Sequence, residues 1–238
     1  MLSRLKIMGS AHQKTPHIAF RSPSELQSWK KTFPDVANSP GYHACTLFVG
    51  CVQLVTASDG EEGGWVRAFS GIQRLGLDGG DRHNGGLRAS EVSLSPFRGI
   101  SPTLKSLRLG PILLPYPGLL DLLLSFPLLE NLSLRSYEDH DRLPDSPQTV
   151  ITSASPPLTG SLAFCLDREA GDVARELLDL PNGLHLQNLA LWRHRDTDFW
   201  WIAAFVKRCS HTLESLDVVC TSRTFIHIYI RTNNLTSF

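Results

Sequence analysis

The chain carries no surplus of either charge: 23 lysines and arginines balance 23 aspartates and glutamates over 238 residues. No global field therefore draws it to nucleic acid or to an anionic membrane, and any partner is recognised locally. Cysteine is sparse and odd in number, scattered at Cys45, Cys51, Cys165, Cys209 and Cys220. No pair forms C-x-x-C, so the five are read as free thiols of a reducing compartment rather than a disulfide framework. The amino-terminal "MLSRLKIMGSAHQK" lacks an apolar run of signal-peptide length, and the expected location is cytoplasmic or nuclear. The most apolar stretch, "PILLPYPGLLDLLLSFPLL", contains four prolines and Asp121, which a bilayer-spanning helix would not hold at that density. No membrane is expected as a partner.

Catalytic signatures are missing too. The phosphate-cradling G-x-x-x-x-G-K-[ST], the dinucleotide fingerprint G-x-G-x-x-G and the nucleophile elbow G-x-S-x-G do not occur. His140 lies between carboxylates in "YEDHD", but no second ligand pair stands at a metal-binding interval. The expectation is a protein that is not an enzyme, with neither cofactor nor metal; an uncharacterised hydrolase or metal enzyme is the remote alternative.

What the sequence has is a recurring leucine spacing. In "FPLLENLSLRS" leucines fall at 129, 132 and 134, and the same three-then-two interval returns at Ile72/Leu75/Leu77, Leu104/Leu107/Leu109, Leu186/Leu189/Leu191 and Leu213/Leu216/Val218. A sixth copy, "LTGSLAF", keeps Leu162 and Phe164 but moves its first leucine to Leu158. The middle residues at 75, 107, 132, 162, 189 and 216 are separated by 32, 25, 30, 27 and 27 residues. Two apolar residues two apart on a strand face one way, so each copy buries one row and needs neighbours to cover it.

Three of the intervening returns read as helices: residues 118–126, stopped by Pro127; residues 168–180, capped by Asp167 with Val173, Leu177 and Leu180 on one face; and residues 197–208. The last opens beside acidic residues and closes on Lys207 and Arg208, which suits the helix dipole. Its triplet Phe199, Trp200, Trp201 is expected to pack inward. The predicted fold is α/β, a leucine-rich-repeat solenoid with a curved parallel β-sheet on the concave side and α-helices on the convex side.

This divides the chain into a poorly defined segment 1–40 with one short helix at "SELQSWKKTF", a repeat domain 41–220, and a strand-like tail 221–238. Residues 42–54 read as the strand of a degraded first copy, with "GGWVRAFSG" as its return. The tail shows "TFIHIYI" and then no polar capping helix, from which truncation, a partner at that end or an exposed edge is expected.

The units "SPTLKSLRL", "FPLLENLSLRS", "PPLTGSLAF", "LQNLALW" and "CSHTLESLDV", preceded by "FRSPSELQSWKKTFPD", resemble the leucine-rich-repeat portion of F-box-type proteins of mushroom-forming fungi, over about residues 18–220. The resemblance implies repeats that hold a protein substrate while an F-box docks on the linker subunit of a cullin ubiquitin ligase. Residues 1–17 are too short for an F-box bundle, and no Leu-Pro-containing helical segment opens the chain. The leading expectation is thus a non-catalytic protein-interaction module, with a substrate receptor of a cullin-type ligase, and so a ligase linker as partner, as one alternative and a truncated gene product as another.

Candidate contact residues follow from the strand period. Between and just beyond each pair of inward residues lie Gly76, Arg108, Ser133, Ala163, Ala190 and Asp217, then Asp78, Gly110, Arg135, Cys165, Trp192 and Val219. Asp78, Arg108, Arg135, Trp192 and Asp217 are the expected partner-binding residues, arginine and tryptophan being enriched at binding hot spots.

Overall fold

The computed structural model describes residues 17–35, 38–50, 64–79, 97, 100, 102–110, 123, 125–135, 158–165, 174–175, 177–180, 183–194, 199–220 and 226–231. The chain is α/β, built on parallel strands with few helices among the described residues, and forms two compact units, Met1–Leu114 and Pro115–Phe238.

In the first unit four short strands lie in chain order and all parallel: β1 (His17–Phe20), β2 (Thr46–Val49), β3 (Arg74–Leu77) and β4 (Ser106–Leu109). The register aligns like with like. Ile18, Leu47, Leu75 and Leu107 form one row, and Phe20, Val49, Leu77 and Leu109 the next. All eight are buried, while the residues between them are half-buried or exposed. β1 adds a strand within the segment 1–40, for which only a helix was expected; its "HIAF" has no leucine and no spaced apolar residue before it.

That helix is α1 (Pro23–Thr32). Ser22 caps it, accepting from the Glu25 N–H at 3.4 Å, and the Glu25 carboxylate reaches back to accept from the Arg21 N–H at 2.7 Å. Pro23 in the first turn needs no donor, and Lys30 and Lys31 meet the negative end of the dipole. Leu26 and Trp29, three apart, are buried. Trp29 meets Phe20 at 5.7 Å and Phe69 at 5.4 Å between ring centroids, and Trp65 meets Phe20 at 5.8 Å. The 3₁₀ turn Gly64–Phe69 supplies Trp65 and Phe69, so the expected return after β2 delivers aromatic rings rather than a helix face.

The second unit repeats the arrangement with β5 (Asn131–Arg135), β6 (Leu158–Cys165), β7 (Leu184–His194) and β8 (Ser215–Cys220), again parallel and in chain order. Leu132, Leu162, Leu189 and Leu216 share one row, and Leu134, Phe164, Leu191 and Val218 the next. Hydrogen bonds outside the strands recur as well. The Thr103 hydroxyl donates to the Ile72 carbonyl at 3.4 Å, and the Thr212 hydroxyl to the Leu186 carbonyl at 2.8 Å. Each threonine precedes the first leucine of its copy and reaches the first apolar residue of the copy before. The Lys105 N–H donates to Gln73 and the Glu214 N–H to Gln187, at 2.9 and 2.7 Å, in the same relation.

The displaced leucine of the sixth copy has a structural counterpart. Leu158 aligns with Leu184, and the register then slips between Gly160 and Ser161, where β7 holds Gln187 as an extra residue. Gly160 has φ 78°, and a Cβ there would lie 2.5 Å from the Glu130 carbonyl oxygen. That oxygen also accepts from the Ser161 N–H at 2.9 Å. Gly183 has φ 74° too, but a Cβ there would meet nothing nearer than the Arg208 guanidinium at 3.6 Å. Gly160→Ala should therefore cost about 2 to 3 kcal/mol and Gly183→Ala about 1 kcal/mol, read by urea unfolding. Equal losses would contradict the crowding at the slip.

Helix α2 (Phe199–Arg208) covers the second unit's core with Trp201, Ile202 and Phe205. Trp201 and Phe205 stand 6.1 and 5.8 Å from the Phe164 ring. The aromatic triplet does not pack inward together: Trp200 is 51% exposed, with the Arg175 guanidinium 5.7 Å from its ring. A helix turns about 100° per residue, so Trp201 and Phe205 share a face from which Trp200 departs. The Phe199 side chain lies outside the described residues. Of the 168–180 helix, Ala174, Arg175, Leu177 and Leu178 are helical, with Leu177 and Leu180 buried; Asp167 and Val173 fall outside the described residues. Most of 118–126 does too, although Leu123 and Phe126 are buried and the Phe126 N–H donates to the Leu123 carbonyl.

The tail departs from the expected all-parallel order. β9 (Ile226–Arg231) pairs antiparallel with β8. A parallel connection needs a crossover of about a dozen residues, and the interval from Cys220 to Ile226 is too short for one.

Candidate functional site

In each unit the strand residues that alternate with the leucine rows include expected contact residues: Arg108 in the first, with Asp78 just after β3, and Arg135, Trp192 and Asp217 in the second. In the first unit the central row of this outward face is Ala19, Phe48, Gly76 and Arg108, in register across the four strands. Arg108 is exposed, as are His17 and Arg74, which also lie on this face. Phe48 is half-buried, and a Cβ at Gly76 would fall 2.8 Å from its Cδ2, so glycine there leaves the ring room to lie toward β3. Asp78 follows β3, donates its N–H to the Val49 carbonyl at 2.9 Å, and leans toward Gly110, where a Cβ would sit 2.7 Å from its Oδ2.

In the second unit the corresponding row is Ser133, Ala163, Ala190 and Asp217, followed by Arg135 paired with Cys165 and Trp192 paired with Val219. Arg135 is exposed and Trp192 half-buried. They stand two strands apart, about 10 Å at the usual strand spacing. Trp192 Nε1 donates to Asp217 Oδ2 at 3.2 Å, a diagonal contact between neighbouring strands. This fixes the indole against β8 and gives the carboxylate a donor. Beside them Asn188 Nδ2 donates to Ser161 Oγ at 3.1 Å. The first unit's face is thus basic around one phenylalanine, and the second's is small and polar around one tryptophan.

Phe48 shares the first unit's outward row but was not among the residues expected from sequence. Ala44, Leu47 and Val49 keep the three-then-two interval and are buried, which would have placed Phe48 beside Arg108 in the outward row. Cys45, Cys165 and Cys209 are free thiols. Cys209 is buried, and its desolvation pushes the thiol above its ordinary pKa, which disfavours the nucleophilic thiolate. His140 and Cys51 lie outside the described residues. Among the described residues no group of three His, Cys, Asp or Glu side chains could hold a metal ion, and no helix is long and apolar enough to cross a membrane.

Comparison with family models, curated proteins and solved structures finds no match to the chain.

Proposed function

We propose that this chain is a non-catalytic protein-interaction module, the leucine-rich-repeat portion of an F-box-like protein, which holds a protein partner on its outward strand face. In this reading the strands line the concave side of a solenoid and α1 and α2 belong to the convex side. The observation that carries it is the alignment of the leucine rows: burial of one face in register leaves the other as parallel ranks of Arg, Trp, Asp and Phe. Tryptophan and phenylalanine offer large contact area with only two side-chain torsions to fix, and arginine a planar fork of donors, which favours these residues as hot spots.

Copurification of the tagged chain from its native cells, followed by mass spectrometry, tests the reading. One specific protein should be recovered, and a chain with Arg108, Arg135 and Trp192 all replaced by alanine should lose it while keeping its melting transition. Retention of the partner by a folded triple variant would move the site off this face. Recovery of a ligase linker and cullin as well would make the chain a substrate receptor, and chaperones alone would contradict a stable module.

A further inference from the structure

We infer that the outward strand face of the first unit takes an extended acidic segment of the partner protein, its carboxylates on Arg74 and Arg108 and an apolar neighbour on Phe48. The inference rests on the reading of this face as the binding surface, and adds the chemistry of what is bound.

Within β1 to β4 the outward strand positions hold His17, Arg74 and Arg108, against one carboxylate, Asp78 directly after β3, in a chain whose charges balance overall. The local excess of positive charge is therefore a property of this face. Arg74 and Arg108 are diagonal neighbours, since Arg74 pairs with Ser106 and Arg108 stands two residues further along β4. Such positions are about 7 to 8 Å apart. Alternate residues of an extended chain point the same way about 7 Å apart, so two carboxylates separated by one residue match the spacing of the two arginine positions. Gly76, on the row of Arg108, carries no side chain and lets the Phe48 ring occupy the floor beside them. The result is an apolar shelf bordered by arginines, whose planar donors suit carboxylates.

A nucleic acid fits less well. Single strands are held by long basic grooves with several aromatic platforms, whereas here a single phenylalanine on β2 adjoins two arginines on β3 and β4 among the described outward positions. An acidic peptide needs only the short patch that is present.

The test is fluorescence anisotropy of the full chain with a labelled dodecapeptide repeating Leu-Gly-Glu-Gly-Glu-Gly, which puts leucine and both carboxylates on one side of an extended chain, against the same peptide with glutamine for glutamate and against a dodecamer of thymidylate. The acidic peptide should bind, weakening as salt rises. The glutamine peptide should bind about tenfold more weakly or less, and Arg74→Glu and Arg108→Glu should each reduce acidic-peptide binding about tenfold. Phe48→Ala should weaken binding but preserve the salt dependence. Both arginines are exposed, so folding should survive; if a charge reversal lowers the melting temperature, Arg74→Gln and Arg108→Gln are measured in its place. No binding, equal binding of the glutamine peptide, indifference to the arginine substitutions, or tighter binding of the oligonucleotide would each overturn the inference. If the acidic peptide fails while the Arg108, Arg135, Trp192 variant still loses its cellular partner, the interaction module stands and only the acidic class falls.

Discussion

Trp29→Ala should destabilise the chain by about 3 to 5 kcal/mol, the largest single-residue effect expected here. Trp29 is 1% exposed and stacks on Phe69 at 5.4 Å, with Phe20 edge-on at 5.7 Å and Phe33 at 5.9 Å. It joins helix α1 to strand β1 and to the turn after β2, so truncation opens a cavity at three elements at once. Relaxation would have to move all three. Trp29→Phe is the informative companion. The indole N–H is buried without an acceptor among the described residues, so the smaller ring loses some packing but also removes this donor. Urea unfolding should place Trp29→Phe within about 1 to 2 kcal/mol of the parent and Trp29→Ala well beyond it. Comparable losses would show that the ring cluster contributes little.

The second large effect is at Leu189, where alanine should cost about 2 to 5 kcal/mol. Leu189 is 1% exposed and lies in register between Leu162 and Leu216, so leucines on both neighbouring strands lose contacts. Its neighbour Asn188 faces the other way and donates to Ser161. Asn188→Ala should cost about 1 kcal/mol or less, since an exposed hydrogen bond has small net worth. A chain that tolerated Leu189→Ala as readily as Asn188→Ala would not have its core on the leucine face.

The leucine rows were legible because two local signals coincide: period two within a strand, and a near-constant interval between strands. Together they identified Leu75, Leu107, Leu132, Leu162, Leu189 and Leu216 as row-mates, and those in each unit align. The aromatic core of the first unit was not legible. Phe20, Trp29, Trp65 and Phe69 follow no period along the chain and meet only through tertiary packing. β1 was hidden for a related reason, since four residues without leucine carry no repeat signature. The alternation in "TFIHIYI" announced a strand but not its direction, which the short interval after β8 decides. Among the expected contact residues, period two placed Arg108, Arg135, Trp192 and Asp217 outward. The Trp192 to Asp217 hydrogen bond needed the strand order, which sequence spacing implies only once the copies are stacked. Phe48 escaped notice because its copy has alanine and valine where the others have mostly leucine.

One measurement bears most directly on the claim that the leucine face is core and the opposite face is open to a partner: hydroxyl-radical footprinting read by mass spectrometry, with and without the copurified partner. In the free chain Phe48, Trp192 and the exposed Trp200 should be oxidised readily, and Trp29 and Trp201, at 1% and 0% exposure, should resist. Adding the partner should protect Phe48 and Trp192 and leave Trp200 unchanged. Ready oxidation of Trp29 and Trp201, or protection confined to Trp200, would contradict the account.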